Sequence, residues 1–139
     1  MIDVKIILLL VSVLLQSSCD KTENSTVLRI RNETIDSVYY QFSWSHPDTT
    51  IADFNPLNDS YNYLILPFSE KRVNARNSKN YDYWAELFSD GKKEYLFIFH
   101  ADTLLNNDWE SVRSDYKILR RIELSRDLLQ KNNWVIMYK

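Results

Sequence analysis

The sequence predicts a mainly β domain, an antiparallel two-layer sandwich with a few short helices, spanning residues 27–139 behind an N-terminal segment of different character. Three observations point there. Several short segments alternate apolar and polar side chains with the two-residue period of half-buried strands. Aromatic residues make up 14% of the chain, and Tyr, Phe and Trp favour pleated, half-buried surfaces. One glycine and three prolines leave most turns to Asn, Asp and Ser, whose side chains bond their own backbone.

The chain opens with Lys5, an apolar run from Ile6 to Leu15 broken only by Ser12, and then Gln16, Ser17, Ser18 and Cys19. A basic start, a short apolar core and small residues before a cut describe a secretory signal. A membrane-spanning helix needs about 20 apolar residues, so this run is too short for one. With cysteine first after the cut, the pattern resembles the lipobox of bacterial lipoproteins, and with Gln16 in place of leucine it resembles the looser lipoboxes of Bacteroidetes. The resemblance implies that residues 1–18 are a signal peptide and that Cys19 carries the lipid. It also implies that the protein is lipid-anchored in the bacterial cell envelope, at the outer membrane on its periplasmic or surface face. Plain secretion, with Cys19 a stray thiol, and a buried cytosolic strand are the rival readings. Residues 19–26 are polar without periodicity and read as the lipidated cysteine and a flexible tether.

Within the domain, Leu28 and Ile30 alternate with Arg29 and Arg31 as a half-buried strand. Val38, Tyr40, Phe42 and Trp44 share one face of the next, which Pro47 ends because it has no N–H for a ladder. Tyr61–Leu66 reads as a further strand, and Ser69–Asn80 as a loop with one short strand around Val73. Tyr81–Ser89 fits either helix or strand, with Asp90-Gly91 as its stop. Glu94–His100 is apolar on both faces and reads as the central strand, with Phe97 and Phe99 expected to be buried, one on each side. Asp102–Asp115 reads as a helical connection with Asp108 as cap, and Tyr116–Leu124 as a strand. Ser125 caps a short helix, Arg126–Lys131, with Asp127 near its positive end. Asn132-Asn133 turns the chain into a last strand, Trp134–Tyr138.

The C-terminal third, through Asp102-Thr103, Trp109-Glu110, Leu124-Ser125-x-Asp127-Leu128 and Asn133-Trp134-x-Ile136-x-Tyr138, resembles a group of small uncharacterised Bacteroidetes lipoproteins. That resemblance implies an envelope location and a β-rich domain, and it brings no activity, substrate or site.

Charge and ligand chemistry narrow the function classes. A net charge of −2 with Lys and Arg scattered among Asp and Glu offers no basic stripe for nucleic acid. Two histidines, His46 and His100, lie far apart and the single cysteine is the acylation candidate, so no metal or other cofactor is expected. No phosphate-cradling glycine loop and no nucleophile elbow occur. Carboxylates such as Asp82 and Glu86 share a face only if their segment is helical. Tyr61, Tyr63, Tyr81, Tyr83 and Trp84 are candidate binding aromatics for a glycan or a protein partner, with core filling as the alternative. Asp36-Ser37-Val38, Asp48-Thr49-Thr50 and Asp102-Thr103-Leu104 resemble Bacteroidetes O-glycosylation acceptors, which makes Ser37, Thr49 and Thr103 candidate modification sites. The resulting expectation is a non-catalytic, lipid-anchored envelope protein that binds a glycan or protein partner. A small envelope hydrolase whose carboxylates converge only in the fold, and a purely structural envelope component, are the alternatives.

Overall fold

The computed structural model describes residues 27–73 and 83–139. Its strands are β1 (Leu28–Asn32), β2 (Val38–Ser43), β3 (Leu64–Ile65), β4 (Glu70–Val73), β5 (Lys93–His100), β6 (Arg120–Ser125) and β7 (Val135–Tyr138). Four short helices punctuate them: α1 (Tyr83–Leu87), α2 (Ala101–Asn106), α3 (Trp109–Ser114) and α4 (Arg126–Lys131). The strands form a three-stranded sheet in the order β4-β1-β7 and a four-stranded sheet in the order β3-β2-β5-β6. The fold is therefore mainly β, in two mostly antiparallel sheets.

One pairing departs from the antiparallel expectation: β7 runs parallel to β1, with Ile30 opposite Ile136. The physical reason is the connection. β6 belongs to the other sheet, and α4 carries the chain across, so no hairpin imposes antiparallel entry. The four-stranded sheet is antiparallel throughout, with Tyr40 opposite Ile98 and Leu96 opposite Ile122.

The sheets close on one core. Leu28 and Ile30 from one sheet meet Val38, Tyr40, Leu96, Ile98 and Leu124 from the other, all fully buried. Alternation along β5 then creates a second core on the far face of the four-stranded sheet, where Tyr95, Phe97 and Phe99 pack with Ile51, Leu104 and Val112. Phe97 and Phe99 are both buried, but on the same side. A two-residue period allows nothing else, and the helices α2 and α3 supply the layer that covers them.

Local chemistry explains the other differences. The strand expected over Tyr61–Leu66 shrinks to Leu64–Ile65 because Asx turns take its backbone donors: Asp59 Oδ1 accepts from Tyr61 N at 2.8 Å and Asn62 Oδ1 from Leu64 N at 3.0 Å. Tyr83–Leu87 is helical, and Asp90 (φ 58°) and Gly91 (φ 75°) follow in the left-handed region. β6 starts at Arg120, since Tyr116 (φ 54°) and the Lys117 N to Val112 O bond of 2.9 Å extend the α3 exit first. Ser125 caps α4, its Oγ accepting from Leu128 N at 3.3 Å. β7 begins at Val135, one residue late, because Trp134 has φ 59° and donates to Leu129 O at 2.7 Å. Among the described residues no helix is long and apolar enough to cross a membrane.

Candidate functional site

The candidate aromatics separate by burial. Tyr63 (8% exposed) and Trp84 (5%) belong to the core between the sheets. The Trp84 indole Nε1 donates to Val73 O at 2.9 Å, so both its ring and its polar handle are committed to the fold. Tyr61 and Tyr83 are half-buried against the same core, with Tyr61 at 5.1 Å from the Tyr63 ring and Tyr83 at 5.3 Å from Trp84. Tyr81, like Cys19 and all of residues 1–26, where the signal and tether are expected, lies outside the described residues, as does Asp82.

Trp44 is an exposed aromatic beside this group, although the alternation places it on the same strand face as buried residues. Trp44 continues the alternation of Val38, Tyr40 and Phe42, yet β2 stops at Ser43 and the chain turns away at Pro47. Its indole projects past the end of the sheet, 52% exposed. It stacks on Phe42 (centroids 5.3 Å apart, planes at 18°) and lies near-parallel to Trp84 (6.4 Å, 23°). Two buried rings thus support a flat apolar plate whose exposed area suits stacking. The only signal in the sequence was its place as the last aromatic before a proline break.

A concavity lies on the helix side. Thr49, Thr50, Ile51, Glu110, Arg113, Ser114 and Tyr116 line an open cleft of about 340 Å³. Arg113 is the cation there, and each of its three nitrogens is engaged internally: on the Asp53 carboxylate, on Glu110 at 3.1 Å and on Ile51 O at 3.3 Å. It is a strut between the loop and α3 rather than a receptor for an anion. Candidate acceptor Thr49 stands at this rim, half-buried. Ser37 is half-buried at the start of β2, where its carbonyl accepts from Ala101 N at 3.0 Å, and Thr103 is half-buried on α2. The three are therefore dispersed over different elements.

Ionisable groups meet at the start of β5. Glu94 is 8% exposed, and its Oε2 has no hydrogen-bond partner among the described residues. Burial pushes its carboxyl above the usual range, opposed by the backbone N–H and charge of His46 and by Lys92. Glu123 behaves oppositely: Lys93 Nζ at 2.6 Å and His46 Nε2 at 3.3 Å hold it below the usual range. Two carboxyls driven apart in pKa are the raw material of acid–base chemistry. Here the sheet separates them. Glu94 pairs with Leu124 and shares the face of Leu96, whereas Glu123 pairs with Tyr95 on the opposite face. They cannot reach one substrate atom together. Among the described residues no three His, Cys, Asp or Glu side chains gather as metal ligands.

Compared with known proteins, the chain matches no family model, no curated protein and no solved structure.

Proposed function

We propose that this is a non-catalytic, lipid-anchored protein of the bacterial cell envelope whose β domain binds a glycan or protein partner. One observation carries the anchoring half: the apolar run Ile6–Leu15 ends in Ser17-Ser18-Cys19, with the chain's one cysteine at the position an acylated N-terminus requires. One acyl chain binds a membrane only marginally, whereas two or more hold stably, each buried CH₂ contributing about 0.8 kcal/mol. A multiply acylated Cys19 would fix the domain to a leaflet without a spanning helix. The likeness of the C-terminal third to small Bacteroidetes lipoproteins supports the same location.

The binding half is supported by Trp44. A half-exposed indole backed by Phe42 and Trp84 offers a plate for the C–H face of a sugar or for an apolar partner side chain. Its support is pre-formed, so binding orders few new side chains.

Each half has its own test. Cys19→Ala is expected to move the protein out of the detergent phase and to remove the acyl mass seen on the intact mature chain. A wild-type N-terminus without acyl mass would refute the anchor. Binding is read on glycan arrays and by affinity capture from envelope extract, wild type against Trp44→Ala. Loss of a captured ligand with an unchanged melting curve supports the plate, and identical binding by the two proteins removes it.

A further inference from the structure

The turn after β1 and the turn before β4 close side by side at one end of the three-stranded sheet. Phe68 N donates to Thr34 O at 3.3 Å, and Asn32 N donates to Ser69 O at 2.9 Å. The Asn32 side chain, fully buried, ties the two turns together. Its Nδ2 donates to Asp36 O at 2.7 Å and to Leu66 O at 3.1 Å, while Oδ1 accepts from Thr34 N at 3.0 Å and Thr34 Oγ1 at 2.7 Å. The tip that this frame presents is apolar. Ile35 is 77% exposed, Phe68 70% and Leu66 55%, with Pro67 exposed between the last two. Phe68 is held at φ 49°, where glycine or asparagine is at ease and phenylalanine is strained.

Charges of both signs surround this tip. Arg31 meets Glu70 at 2.7 Å and Lys139 meets Glu33 at 3.5 Å, while the His100 ring lies 3.6 Å from the Asp36 carboxylate. Such a rim carries no strong field of one sign, so it neither steers a charged partner nor selects an anionic surface. Bulky apolar side chains inside a rim of mixed sign match the boundary between zwitterionic headgroups and acyl chains, which apolar groups enter by burying their area.

We infer that this tip rests on a zwitterionic lipid surface, with Ile35, Leu66 and Phe68 dipping into the headgroup–acyl boundary. The inference rests on the anchor at Cys19, which keeps the domain at that same membrane. The lengths permit both contacts. Residues 19–26 reach at most about 28 Å at about 3.5 Å per residue. From Val27 to Asn32 along β1 is about 17 Å by strand rise. A tethered tip also needs little affinity of its own, because the anchor converts its encounter with lipid into an intramolecular event.

The full chain carrying Pro67→Cys, labelled with a polarity-sensitive thiol fluorophore and reconstituted into phosphatidylcholine vesicles, tests this. Lys92→Cys, at the other end of β5 from His100, is the reference site. An acylated Cys19 has no thiol, so one dye per chain accompanies the anchor, and two dyes expose its failure. In that event the tip is read in a Cys19→Ser background. Emission at position 67 is expected to rise several-fold over that at position 92 and to be quenched by a nitroxide confined to the bilayer. Phe68→Asp, which suits the left-handed backbone, should return it to the reference level. Equal, solvent-like emission at both positions overturns the tip whatever the dye count. A rise that the nitroxide leaves unquenched reports protein–protein contact and overturns it too.

Discussion

Asn32 shows how one buried amide can organise a whole end of the molecule. Four polar groups from two turns converge on it. Leu66 O also accepts from Ser69 Oγ at 2.7 Å and Thr34 Oγ1 also reaches Asp36 O at 3.4 Å, so removing the amide strands chiefly Thr34 N and loosens the link between the turns. An unsatisfied buried polar group costs about 1–3 kcal/mol, and water can reach part of this turn. Asn32→Ala should therefore lower the stability by about 1–3 kcal/mol, measured as a fall in urea midpoint at constant slope. An unchanged midpoint would mean that the turns hold without it. Glu94 makes the opposite point, that a residue can be tolerated rather than needed. Its carboxyl binds protons more tightly folded than unfolded, because burial raises its pKa. Its favourable contribution is thus present below about pH 4, the ordinary Glu range, and is lost as pH rises through the folded value. Glu94→Gln stays neutral at every pH. Relative to wild type it should gain stability as pH rises above about 4, whereas the Glu123 term, which runs the other way, cancels in the comparison. A stability difference that is flat with pH would show that the buried carboxyl relaxes into water.

At the scale of elements, the stretch from Ser125 to Tyr138 was the most legible. Its cap, its short helix and its return strand follow from local rules that need no tertiary context: a serine before Arg126-Asp127, two asparagines, then alternation. Ser125→Ala should cost about 1 kcal/mol, and since α4 is too short to be stable alone, its packing must hold it. Leu129, 1% exposed, is the side chain that does so, while Leu128 and Trp134 pack at the edge of the same core. Leu129→Ala is thus expected to exceed the cap mutation, at about 2–5 kcal/mol in thermal melts. Equal losses for the two would sink this ranking. Less of Tyr61–Leu66 was legible, because Asp59 and Asn62 compete for backbone donors that an alternating pattern assigns to a ladder. Trp44 was misplaced for a related reason. Periodicity says which face a side chain takes, but not where the sheet ends. The candidate site depended on that one boundary, and so it lay beyond pattern reading.

For the whole molecule, β5 is the shared wall of two cores. Leu96 and Ile98 belong to the core between the sheets, and Tyr95, Phe97 and Phe99 to the one beneath α2 and α3. Parity along a single strand decides this division, so neither core can form fully while β5 is unpaired. The consequence is cooperative unfolding of both layers. Two of the four tryptophans report on them separately. Trp84 lies in the inter-sheet core, and Trp109 stacks edge-on to Phe99 at 5.6 Å with its Nε1 bonded to Asp53 O at 2.7 Å on the helix side. Proteins retaining only one of these indoles, the other three replaced by phenylalanine, should show coincident urea transitions. Phe97→Ala removes a fully buried ring from the helix-side core alone and should cost about 3–5 kcal/mol. If β5 couples the layers, that loss lowers the Trp84 transition as much as the Trp109 transition. If instead Trp109 melts early while Trp84 keeps its wild-type midpoint, the helix layer is an independent cover on a self-sufficient sandwich.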